Sequence, residues 1–155
     1  MTPLLKNTFD SILYGALAAF AAGLASIVLV LIFFGDPNLA SGETKLSAIL
    51  LSSAIEEILK ALFLFALFHR IPRENILLPA AAFGLSFGIS EAFLILANHI
   101  PLTSLASFPI LVHIATSILI AYGSIFFFKR KMSLCVALVS AAFLLHAAYN
   151  IAVFV

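Results

Sequence analysis

The stretch SSAIEEILKALFLF (Ser52–Phe65) places two adjacent carboxylates, Glu56 and Glu57, and an ammonium, Lys60, in a run that otherwise reads as apolar helix. Whether that run lies in water or in lipid decides the fold. The rest of the chain answers the question. Its 155 residues are 64% hydrophobic and 10% charged, with a mean hydropathy of +1.22. A soluble domain of this size cannot hide so much apolar surface, and its exterior needs more charge. The composition points to an integral membrane protein. A net charge of +1 leaves no basic footprint for nucleic acid. Cys135, the single cysteine, cannot form an internal disulfide and reads as packing.

Working outward, a membrane helix needs about 20 apolar residues. Five runs qualify: residues 11–34, 46–68, 76–97, 105–128 and 132–155. The joining segments are short and turn-rich, so neighbouring helices run antiparallel in one domain. Pro79 and Pro109 fall near helix starts, where a missing N–H costs least. The first run is too long for a signal-peptide core and is read as a retained span. The expected fold is all-α, a polytopic membrane helix bundle surrounded by lipid. Lysine and arginine in the loops orient it. Lys6, Arg70, Arg73, Lys129, Arg130 and Lys131 share one side, and only Lys45 lies on the other. The N-terminus is expected in the cytoplasm and the C-terminus outside.

Given that orientation, the ionisable residues inside the spans fall at one level. Counting from the outer helix ends at 1.5 Å per residue, Glu56, Glu91, His113 and His146 lie roughly 9–15 Å below the outer surface. Each charge at the centre of a span costs about 2.5–3.5 kcal/mol to insert, so using several for scaffolding alone is implausible. Local spacing agrees. Lys60 can meet Glu56 or Glu57 on its own helix, and His146 and Asn150 in HAAYN share a face. Thr116 and Ser117 follow His113 on its side of the helix. Gly84 and Gly88 precede Glu91, and a Gly-xxx-Gly pair lets another helix approach closely. His69 and His99 read as solvated residues at helix ends.

These groups suit hydrolysis. An ionised glutamate can take a proton from water as that water attacks a carbonyl. His113 or His146 can stabilise the oxyanion or bind a metal, and the Asn150 amide can donate to the same oxyanion. Two histidines and a carboxylate also form a zinc set, here His113, His146 and Glu91. Glu56 and Glu57 diverge by about 100° on a helix, so only one faces the cavity squarely. Spacing does not decide which of the two is the base; Glu56 is preferred, with Glu57 pairing to Lys60 or bridging helices. Two other classes fit in part: a small proton- or cation-coupled transporter, which would need a path to both faces, and a non-catalytic scaffold for a partner helix.

Four blocks, in order, also resemble the PrsW family of intramembrane proteases. EEILK (Glu56–Lys60) resembles their E-E-x-x-K motif, and FGLSFGISEAF (Phe83–Phe93) their G-F-x-x-x-E segment, with Phe87 and Glu91 in register. HIATSILIAYG (His113–Gly123) is similar to their third block, and HAAYN (His146–Asn150) to their H-x-x-x-N block. Together the blocks lie within residues 46–150. The related type II CAAX prenyl endopeptidases and bacteriocin-processing proteins carry E-E-x-x-x-R, where this chain has Lys60. The resemblance implies a peptidase in a prokaryotic plasma membrane. Its substrate would be a single-span, anti-sigma-factor-like protein cut near the outer boundary. The paired glutamates would activate water, and the two histidines with Asn150 would complete the site.

Overall fold

The computed structural model describes residues 2–34, 42–69, 71, 75–97 and 109–154. Among these there are five helices and no strand: α1 (Pro3–Phe34), α2 (Gly42–Phe68), α3 (Leu77–Ala97), α4 (Pro109–Phe128) and α5 (Met132–Phe154). The expected all-α fold is present. Three helices, α1, α4 and α5, are long and apolar enough to cross a membrane, which marks a membrane protein. α2 is not among them, because Glu43, Lys45, Glu56, Glu57 and Lys60 stand along it. α3 contributes a shorter apolar stretch, Leu77–Phe93.

α1 begins eight residues before the expected span. Thr2 and Pro3 explain the early start. The Thr2 hydroxyl accepts the Leu5 N–H at 3.4 Å, and the Thr2 carbonyl accepts the Lys6 N–H at 3.1 Å. Proline suits the first helical position, and a threonine cap before it satisfies a free donor. Lys6 and Asp10 are therefore part of the helix. At 32 residues α1 is about 48 Å long, more than a hydrocarbon core of about 30 Å requires. The expected fourth span starts at residue 105; α4 starts at Pro109, and residues 105–108 lie outside those described, as do Arg70, Arg73 and His99.

The packing reverses that of a soluble protein. The inward face of α1 consists of small residues, among them Ser11, Gly15, Ala18, Ala22 and Ser26. Its outward face carries Leu17, Phe20, Leu24, Ile27 and Leu31, all exposed. Small residues let helices approach closely where lipid offers no hydrophobic drive between them. α1 packs on α2 and α3, α3 on α4, α4 on α5, and α2 on both α4 and α5. α2 therefore has its polar residues against α4 and α5.

α4 ends in a Schellman motif. Lys131 N–H bonds back to the Phe126 carbonyl and Arg130 N–H to the Phe127 carbonyl, both at 2.9 Å. Arg130 takes the left-handed conformation that closes such a turn, with φ 57°.

Candidate active site

The acid pair of α2 divides its work. Glu57 is buried and joins two neighbours: its Oε1 accepts from the Lys60 ammonium and, at 2.7 Å, from Nδ1 of His146 on α5. Both spacings on α2 allowed a pair with Lys60, and the one that forms is Glu57–Lys60. Glu56 turns away. Its Oε1 accepts from Ser52 at 3.2 Å, and its Oε2 lies 3.5 Å from Nε2 of His146.

Lys60 is fully buried, an expensive place for a charge unless every donor is used. Besides Glu57 it reaches Nδ1 of His113 at 2.8 Å and the Thr116 hydroxyl at 3.1 Å, both on α4. The Phe87 ring lies 4.7 Å from its nitrogen, within range of a cation–π contact. Thr116 in turn donates to the His113 carbonyl at 3.3 Å.

Close helix approach brings α4 to α3. A Cβ on Gly84 would lie 2.6 Å from the Ile114 Cα, and one on Gly88 would lie 2.7 Å from the Ile110 Cα. The absence of those side chains lets Nε2 of His113 contact the Glu91 carboxylate directly. The His113 ring rests on Phe87 at 4.7 Å and meets the His146 ring edge-on at 4.8 Å. His69 is exposed and leans on Phe128 at 5.6 Å, apart from this cluster, as its end-of-helix position implied.

On α5, Asn150 sits one turn beyond His146. Its Nδ2 lies 3.0 Å from the Ser53 hydroxyl and 3.1 Å from Nε2 of His146. Ser53 donates its own hydrogen to the Ile49 carbonyl at 2.9 Å, so its oxygen accepts, which assigns the amide orientation. Both hydrogens of the Asn150 amide are directed at Ser53 and His146, so its expected donation to an oxyanion would have to compete with these partners. Its role is to tie α5 to α2 and hold the imidazole.

Every sequence-predicted site residue is thus in one cluster. Glu56, Glu91, His113 and His146 offer ligand atoms that all lie within 4.8 Å of one another, from four different helices. This set could hold a metal ion, and it adds Glu56 to the expected trio of Glu91, His113 and His146. Glu56 Oε2 and Glu57 Oε2 are both buried with no hydrogen-bond partner among the described residues, and of the two only Glu56 belongs to the group with Glu91, His113 and His146. An acceptor in that state suits a water proton or a cation. Glu91 is the most open member, with 22% of its side chain exposed. Sequence reasoning missed Ser53 and the contact of Thr116 with Lys60. Ser53 stands four residues before Glu57, on the same helix face, and that spacing was its only signal. Comparison with protein-family models, with curated proteins and with solved structures finds no match.

Proposed function

We propose that the chain is an intramembrane endopeptidase of PrsW type, cutting a single-span membrane protein with water activated by Glu56. The observation that carries this reading is the convergence of Glu56, Glu91, His113 and His146 from four helices into one cluster inside an apolar bundle. A scaffold or a lipid-facing helix has no use for four such groups at one point. In this reading α2 and α3 also cross the bilayer, giving five spans with the N-terminus in the cytoplasm.

The chemistry follows from the partners. Glu56, unlike Glu57, brings a carboxylate oxygen to the group with Glu91, His113 and His146, and takes the proton of the attacking water. Glu57 already serves Lys60 and His146, so it orients rather than reacts. Glu91 sits at the open edge, where it can pass a proton to the leaving amine. The donor set also fits a divalent metal such as zinc, with Glu56, Glu91 and an imidazole of the cluster as ligands; when bound, the metal would polarise water or the scissile carbonyl.

The test is co-expression with a tagged single-span reporter, comparing wild type with Glu56→Gln and His146→Ala. Cleavage by wild type and loss in both variants supports the reading. Equal cleavage by all three, or none by any against a panel of anti-sigma-factor-like spans, sinks it. Metal analysis of the purified protein, repeated on His146→Ala, decides the cofactor. A transporter would instead show proton-coupled uptake in liposomes.

A further inference from the structure

The two imidazoles of the cluster are held by opposite kinds of partner. His146 turns Nδ1 to a carboxylate, Glu57, which can only accept. Its Nδ1 therefore carries hydrogen, and in the neutral ring its Nε2 carries the lone pair. Asn150 Nδ2, a donor, lies against that Nε2, as this requires. His113 turns Nδ1 to Lys60, whose ammonium can only donate. Its Nδ1 must accept, so in the neutral ring the hydrogen sits on Nε2. That Nε2 meets Glu91, an acceptor. Each contact along the path Asn150–His146–Glu57–Lys60–His113–Glu91 then has one donor and one acceptor, with no conflict.

We propose that Lys60 is a positioning residue that holds His113 as the Nε2–H tautomer, making His113 a hydrogen-bond donor at the site and not a metal ligand. Three features make the assignment rigid. Lys60 has three N–H groups and three acceptors: Glu57, His113 and Thr116. It is fully buried, so water does not compete for it. Thr116 cannot supply the alternative donor to the imidazole, because it spends its hydrogen on the His113 carbonyl. Resting on the peptidase reading, the consequence is a division of labour. The His113 Nε2–H is held against Glu91, so His113 orients the carboxylate at the open edge of the cluster. A zinc ion, where one binds, is left the carboxylates Glu56 and Glu91 and, on displacing the Asn150 amide, Nε2 of His146.

The experiment is nitrogen-15 NMR of the full-length protein in lipid, labelled at histidine, with the His113 signals assigned by their loss in His113→Gln. The wild type is expected to show His113 protonated on Nε2 and bare on Nδ1, unchanged on adding zinc chloride. Because Glu91 alone also favours Nε2–H, the Lys60 variants are made in Glu91→Ala. That protein is expected to keep the Nε2–H form, Lys60→Met in it to admit the Nδ1–H form, and Lys60→Arg, which keeps a donor, to restore Nε2–H. A wild-type His113 protonated on Nδ1, or on both nitrogens, overturns the proposal, as does direct zinc coordination by its Nε2. A folded Glu91→Ala/Lys60→Met protein with the same tautomer as Glu91→Ala overturns the positioning role. The wild-type spectrum decides the tautomer even if no variant folds. No substrate is involved, so the pattern can stand while the peptidase reading falls, and a cleaving enzyme with His113 in the other tautomer reverses that outcome.

Discussion

Nδ1 of His146 donates to Oε1 of Glu57 across 2.7 Å, tying α5 to α2 through the same oxygen that receives the Lys60 ammonium. One carboxylate thus neutralises a buried cation and aims an imidazole, while its neighbour in sequence, Glu56, accepts from Ser52 and lies 3.5 Å from His146. The two glutamates are one residue apart and differ entirely in what their loss would do.

Glu57→Gln should therefore act on stability. It leaves the Lys60 ammonium buried without a counter-charge, and breaking such a pair costs about 3–5 kcal/mol. Thermal unfolding in detergent should show a large drop. Glu56→Gln keeps the Ser52 hydrogen bond and should stay within about 1 kcal/mol of wild type, yet lose cleavage by roughly 10²–10⁴-fold, as expected for a missing general base. Equal destabilisation by both substitutions would contradict this division.

The approach of α3 to α4 depends on two glycines. In Gly88→Ala the new methyl would lie 2.7 Å from the Ile110 Cα, which is backbone and cannot swing aside. Helix separation must follow, at a cost of about 1–3 kcal/mol. Because His113 and Glu91 face each other across that contact, cleavage should fall further than stability alone explains. A Gly123→Ala control meets its nearest neighbour at 3.4 Å, a side-chain methyl of Val139, and should be mild in both assays. Comparable losses in the two variants would show that the α3–α4 approach is not what positions the site.

Much of this was legible in the sequence, for physical reasons that can be named. Insertion cost makes each deep charge informative, so Glu56, Glu91, His113 and His146 could be placed together from depth alone. The four-residue step from His146 to Asn150 and the glycine pair before Glu91 carried the local geometry. What stayed hidden were choices among equal spacings. Lys60 could reach either glutamate along α2, and His113 and Thr116, on another helix, fix the direction in which it extends. The true start of α1 was hidden as well, because Lys6 and Asp10 interrupt the hydropathy while Thr2 and Pro3 carry the cap. Ser53 gave only the signal of its four-residue spacing from Glu57.

Ser53 supplies a sharper test of the α2–α5 tie. It relays from the Ile49 carbonyl to Asn150, which reaches His146. Ser53→Ala should cost about 0.5–1.5 kcal/mol, the net worth of one hydrogen bond, and Asn150→Ala somewhat more. The double variant should lose less than the sum, because each substitution removes the same contact. Strict additivity would mean that the two side chains act independently.

Arg130 offers a gain rather than a loss. It closes α4 in the left-handed region at φ 57°, where a side chain carries a penalty of about 1–2 kcal/mol that glycine does not. Part of that relief is offset by the greater freedom of glycine in the unfolded chain. The side chain is exposed and lies outside the bundle, so its removal disturbs no packing. Arg130→Gly should raise the unfolding temperature and leave cleavage unchanged. Lys129→Gly, which removes a neighbouring charge without meeting the left-handed requirement, should lower it instead. If both substitutions shift the unfolding temperature in the same direction, the backbone argument for this turn fails.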